Sequence, residues 1–401
     1  MMFDNPITNH AATGPIWDPA YSAMDKPAGT RPDRDAKPAI PLCAAHITTA
    51  WLNQVLAPHL AGYAVIGCQA KPHAVPGQTA DIVELWLHYD RAQCPLPVRM
   101  IAKLGATDQT TRDLARTFRL YERETAFYGS VTGDDLPIAR CFHADFDPAS
   151  YDAVLLLEHL APSYCPSFNI SPGQVRLAVG EAARLHAHFW NDPFVQEHPG
   201  LIQMTDPEYW PNSVKATTAA IPKIKALLGD ACQESIAVAE AWAANFDAIM
   251  RYLRSRPFTL QHADFHPKQL FFPDADGQGR FAIIDFQFSI AGSGAWDIAR
   301  LLHMSPSTES SPSCQADLFA HYLAVLADCG VRDYGWDDFA ADFKLGLMMT
   351  QLINFVAVDQ TDISVLQREC DDFGLDWREV WLLRGERMIR ELNVPGFLRA
   401  L

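Results

Sequence analysis

The chain has 401 residues, 49 % hydrophobic and 20 % charged, enough for two domains or one large two-lobed one with a sizeable core. Its formal net charge of −16 argues against a nucleic-acid polymer as partner, because phosphate-backbone binding needs a positive face. The nine cysteines are scattered with no CxxC pair, which suits reduced thiols in a cytosol better than a disulfide framework or a zinc finger. The start "MMFDNPITNH" lacks the basic and apolar segments of a signal peptide, and no apolar run approaches the roughly 20 residues that span a bilayer. A cytoplasmic protein without membrane attachment is expected.

Residues 1–45 are rich in Pro, Ala, Asp and Gly without periodicity and read as an extended or disordered arm. "ITTAWLNQVL" (47–56) is a short amphipathic helix that Thr48 or Thr49 can cap. Three strands are predicted next, over 62–70, 81–90 and 97–105, the second alternating apolar and polar residues. One helix is predicted over 111–131, where Leu114, Phe118, Tyr121 and Tyr128 recur at helical intervals. The apolar run 153–160 predicts a buried strand. From 171 onward helices dominate, the first opened by Ser171 and Pro172. Further helical patterns cover 207–228, 232–254, 294–304, 315–328, 336–357 and 363–392. A β island at 258–286 interrupts them and reads as a hairpin around "PDADGQG".

That island, "QHADFHPKQ" followed by "AIIDFQ", holds the densest chemistry in the chain. His262, Asp264 and His266 have metal-ligand chemistry, but a hydrolytic zinc site needs further ligands from distant segments. "DADGQGRFAIID" comes close to EF-hand spacing, yet its flanks are β-like where that motif needs helices, and a hairpin turn also favours Asp and Gly. Phosphoryl transfer needs a carboxylate that accepts or orients the substrate hydroxyl, oxygen ligands for Mg²⁺ and a cation on the phosphates. Asp264 supplies the first, and Gln269 and Asp285 supply the second.

"HADFHPKQ" and "IIDFQ" resemble the catalytic loop and metal-binding segment of the aminoglycoside phosphotransferase and choline kinase family. "DFQ", "LHAHFW" and "DIARLL" are similar to its ecdysteroid-kinase-like branch and bacterial relatives. The resemblance spans about residues 47–305 and implies an α+β, two-lobed protein-kinase-like fold: an antiparallel-sheet lobe over 46–160 and a larger helical lobe over 161–401. It implies Asp264 as catalytic base or hydroxyl-orienting group, with Gln269, in place of the usual asparagine, and Asp285 on Mg²⁺. Lys103 falls where the family keeps its phosphate-binding lysine, and Glu124 where it keeps that lysine's partner, with Glu122 as competitor. Backbone groups from Glu158 to Leu160 would hold the base, and amides around Gly77, Gln78 and Thr79 would cover the phosphates. Asp297 and His262 are implied as scaffold. His266 is open between scaffold and substrate contact, and Ala263 replaces a common glycine.

The expected reaction transfers a phosphoryl group from ATP or GTP to a hydroxyl of a small molecule. The rival is an inactive relative that keeps the fold as a nucleotide- or ligand-binding module, motivated by Ala263 and Gln269. Retention of Lys103, Asp264 and Asp285 in order argues against it.

Overall fold

A computed structural model of the chain describes residues 38–73, 79–131, 135–305, 312–371 and 374–401. The chain divides into Met1–Ala39 and Ile40–Leu401, and the elements described below lie in the second unit. Of the predicted arm, residues 1–37 lie outside the described residues.

Helix α1 (Thr49–Val55) begins where the Thr48 hydroxyl accepts the Trp51 N–H at 3.2 Å. Strands β1 (Val65–Pro72), β2 (Ala80–Tyr89) and β3 (Arg99–Gly105) follow, close to their predicted bounds. Helices α2 (Gln109–Thr117) and α3 (Leu120–Ser130) replace the single predicted helix. The break is Arg119, left-handed at φ 56°. That geometry costs an L-residue about 1 kcal/mol, so packing of α3 must outweigh it. Buried Leu120, Tyr121, Phe127 and Tyr128 supply that packing.

Strand β4 (Cys141–Asp147) was not expected, and β5 (Asp152–Glu158) was. In "CFHADFD" a register shift between Cys141 and His143 breaks the alternation, and Phe142 packs in the core beside α1. The five strands form one antiparallel sheet in the order β1-β2-β3-β5-β4. Period two then sorts β3. Met100, Ala102 and Leu104 pack in the cluster with α1, which leaves Lys103 for the face toward α3.

The remainder is mostly helical: α4 (Pro172–His188), α5 (Pro193–Glu197), the short strand β6 (Ile202–Gln203), α6 (Tyr209–Leu228), α7 (Gln233–Ala244) and α8 (Phe246–Ser255). Ser171 and Gln174 make a capping box on α4. Then come β7 (Thr259–Gln261), β8 (Leu270–Phe271), β9 (Ala282–Ile283), β10 (Ile290–Gly292) and α9 (Ala295–Met304). The hairpin is β8–β9 alone, whereas β7 pairs with β10, which also pairs with β6. The chain ends with α10 (Pro312–Asp328), α11 (Trp336–Gln360), α12 (Ile363–Asp371), a π turn at Glu379–Leu383, α13 (Arg384–Glu391) and α14 (Val394–Arg399). The helices predicted over 232–254 and 363–392 are therefore each divided, the first at Asn245.

By length and mean hydropathy α11 is apolar enough to span a bilayer, although polar and charged residues interrupt its apolar run. Here 72 % of its apolar stretch is buried inside the protein, as the central helix of the core.

Candidate active site

Strand β3 carries Lys103 opposite Ile82 of β2 and Leu155 of β5, with its side chain only 12 % exposed. Its Nζ lies 2.7 Å from Glu124 Oε2 on α3 and 2.8 Å from Asp285 Oδ1, two residues beyond β9. Glu122 turns outward to Arg119 at 2.8 Å, so Glu124 is the glutamate that meets Lys103. Burial alone would lower the Lys103 pKa, but Asp285 and Glu124 together outweigh it and hold the ammonium above its ordinary value. Burial pushes the Glu124 carboxyl up to about 7; Lys103 opposes the rise and Asp285 adds to it.

Asp285 sits in the left-handed region at φ 67° and opens a short helical turn over Phe286–Phe288. Its Oδ2 accepts the Gln269 amide at 3.1 Å and faces the Gln287 amide at 3.4 Å. Gln269 lies just before β8 and Asp285 just after β9, so the hairpin brings the two feet together. A carboxylate and an amide oxygen beside a lysine suit a hard cation such as Mg²⁺, provided the Gln269 amide turns its oxygen toward it.

The loop after β7 carries Asp264. Its Oδ1 accepts from Arg300 Nη2 at 2.9 Å and Nε at 3.2 Å, and its Oδ2 lies 3.4 Å from His266 Nε2. Burial alone would raise the Asp264 pKa, but His266, Arg300 and His262 more than offset it and hold the carboxyl well below the usual range. Asp297, in the first turn of α9, holds the loop from beneath. It accepts the His262 N–H on Oδ2 and the Ala263 N–H on Oδ1, each at 2.8 Å, and His186 Nε2 lies 3.1 Å from Oδ2. Ala263 is left-handed at φ 66°, the conformation a glycine adopts at no steric cost. His262 is fully buried. Its Nε2 bonds Ile284 O at 2.8 Å and its Nδ1 accepts the Asp264 N–H at 3.2 Å, so both ring nitrogens hold backbone. The His266 ring lies 5.5 Å from that of Phe168.

The other expected residues fall at the rim. Gly77 and Gln78 lie outside the described residues. Thr79 donates its hydroxyl to Gln287 Oε1 at 2.9 Å, while its carbonyl accepts from Tyr121 at 2.6 Å. The Glu158 carboxylate pairs with Arg280 and accepts the Arg140 N–H at 2.6 Å. Its own N–H goes to Arg140 O and the Leu160 carbonyl accepts from Ser163 N–H, so these groups, expected to hold the base, are bonded within the protein.

Among the described residues no three His, Cys, Asp or Glu side chains cluster as a metal site. The EF-hand-like run is a turn: Asp274 Oδ1 accepts the N–H groups of Asp276 and Gln278, and Gly277 and Gly279 have positive φ. Reading the sequence missed Arg300, Gln287 and Arg280. Arg300 left a signal, since a lone cation in the apolar helix "DIARLLHM" needs a buried partner.

The model of the phosphotransferase enzyme family matches residues 90–341. An N-acetylmuramate/N-acetylglucosamine kinase of Caulobacter vibrioides is 32 % identical over 93 residues, 23 % of this chain and 25 % of that one. The aligned segment thus spans a quarter of that relative's length. A choline/ethanolamine kinase family protein from Mesorhizobium loti is 15 % identical over 86 % of this chain and 96 % of its own, at TM-score 0.44. An ethanolamine kinase of Plasmodium vivax is 13 % identical over 87 % of this chain and 86 % of its own, at TM-score 0.40. These structural likenesses are distant, and the family match carries the assignment.

Proposed function

The chain belongs to the phosphotransferase enzyme family, and on that premise we propose that it transfers the γ-phosphoryl group of ATP or GTP to a hydroxyl of a small molecule. The observation that carries this reading is the chain of contacts from Glu124 through Lys103 to Asp285. It ties the antiparallel sheet to the segment that follows Asp264, through an ammonium kept charged by two carboxylates.

In this reading residues 46–160 bind the nucleotide and 161–401 carry the acceptor site. Lys103 neutralises phosphate charge and Glu124 fixes its direction. Asp285 and Gln269 would hold Mg²⁺, which neutralises charge on the nucleotide phosphates. Asp264, ionised at neutral pH, accepts a hydrogen bond from the acceptor hydroxyl and aligns its oxygen with the phosphorus. Such chemistry rests mainly on positioning and charge. The carboxylates within the site meet cations of the protein, so a neutral alcohol fits it as well as a cationic one.

The test is calorimetric titration of ATP and GTP into the full chain with and without Mg²⁺, repeated on Asp285→Asn. Nucleotide binding that needs Mg²⁺ and is lost in the variant supports the reading. Mg²⁺-independent binding, or equal binding by the variant, overturns the metal assignment.

A further inference from the structure

Asp264 is held in an unusual way. An arginine commonly meets a carboxylate as a fork, one N–H on each oxygen. Here Nε and Nη2 of Arg300 converge on Oδ1, at 3.2 and 2.9 Å, while among the described residues Oδ2 faces His266 Nε2 at 3.4 Å. The Arg300 side chain is 3 % exposed, so this geometry is set by the protein and not by solvent.

The guanidinium is itself fixed. Its Nη1 donates to Asn354 Oδ1 on α11, and Asn354 Nδ2 donates to Trp381 O at 2.7 Å and to His303 Nε2 at 3.2 Å. Trp381 lies in the π turn Glu379–Leu383. A π turn shifts the hydrogen-bond register of a helix and recurs at functional sites. The Leu382 carbonyl of the same turn accepts from Gln351 at 3.2 Å, again on α11. Burial lowers the His303 pKa to about 3, so that ring is neutral and free to accept from Asn354. A continuous buried path thus runs from the π turn through Asn354 and Arg300 to a single oxygen of Asp264.

We propose that Arg300 is a positioning residue for phosphoryl transfer: it pins Asp264 through Oδ1, reserves Oδ2 for the acceptor hydroxyl, and takes its own position from Asn354 and the π turn. The proposal rests on the kinase reading of Asp264. The titratable and charged groups that face Asp264 are His262 and His266 from its own loop and Arg300 from α9. Behind Arg300 stand His303 and, from α13, Arg384. Without Arg300 the carboxylate would lose a charged partner and be free to rotate, so both its orientation and its titration would change.

The test uses the full chain with Mg²⁺ and ATP, and reads phosphate release to water, so that no acceptor need be known. Arg300→Met should lower kcat about 100-fold, the scale of a small misplacement. KM for ATP should stay within about twofold, because uniform binding is untouched. The rate profile should gain an acid limb. Arg300→Lys, which keeps the charge, should recover part of the rate, and Asn354→Ala should lower kcat less than Arg300→Met at the same KM. Should Arg300→Met fail to fold, the other two variants carry the test.

Folded variants with wild-type kcat and pH profile overturn the proposal. Carboxyl ¹³C resonances decide it independently of turnover. The Asp264 signal should stay flat from pH 4 to 8 in the wild type and titrate at higher pH in Arg300→Met, and the same titration in both proteins overturns the hold of Arg300. If the wild type neither binds nor hydrolyses Mg·ATP, the kinase reading fails while the resonance still reports on Arg300.

Discussion

Asp264 and Asp285 are both aspartates in one 22-residue stretch, and their surroundings give them different work. Asp264 is held by Arg300 and His266, whereas Asp285 faces Lys103, Gln269 and Gln287. Asp264→Asn should therefore lower phosphoryl transfer about 10²- to 10⁴-fold, the range for losing a positioned acid–base group. The affinity for Mg·ATP should change less than about twofold, whereas Asp285→Asn should weaken it strongly. Paired calorimetry and turnover on both variants check the division, and equal loss of binding in both would sink it. Both aspartates were legible because a motif surrounds them. Arg300 was not singled out, because its partner Asp264 lies 36 positions away, and the contact of Gln287 with Thr79 spans 208; only the fold brings these pairs near.

Elements were legible by type and less so at their ends. The helix expected over 111–131 breaks at Arg119, and the one over 232–254 breaks at Asn245, where no Gly or Pro announces it. In both cases tertiary packing overrides a continuous local pattern. At α9 the element and the site meet, because Asp297 in its first turn accepts two buried backbone N–H groups of the Asp264 loop. Asp297→Ala would leave both without partners, at about 1–3 kcal/mol each. Urea denaturation should show a loss of about 2–5 kcal/mol, with activity falling in whatever protein remains folded. A loss below about 1 kcal/mol would mean that water replaces the carboxylate.

For the molecule as a whole, the sheet-then-helices order was legible, since strand signals cluster before 160 and helical ones after 171. Strand β4 escaped because a register shift between Cys141 and His143 breaks its alternation and because His143, Asp145 and Asp147 interrupt its apolar residues. The pH response is also a property of the whole. The Glu124 pKa is raised from 4.5 to about 7, so the folded state holds this proton more tightly than the unfolded chain. Its contribution to stability is present below about 4.5 and is lost as pH rises through about 7. Asp264, with its pKa depressed, acts in the opposite sense: its contribution is present above the ordinary aspartate range and is lost on further acidification. Glu124→Gln should flatten the fall in Tm of the nucleotide-free protein between pH 5 and 8. An unchanged slope would assign that fall to other groups.

The β8–β9 hairpin does more than bring Gln269 to Asp285. It also grips three other segments: Tyr164, between β5 and α4, exchanges both backbone hydrogen bonds with Phe272, Arg280 reaches Glu158 at the end of β5, and Ile283 bonds Pro137 and Ala139 between α3 and β4. Such a strap cannot loosen at one point without loosening at the next. In hydrogen exchange, the amides of Ala139, Tyr164, Phe272 and Ile283 would then open as one cooperative unit with a common free energy, whatever the protection of the helices around them. The two residues proposed to hold the metal would stay at a fixed separation until that whole unit lets go.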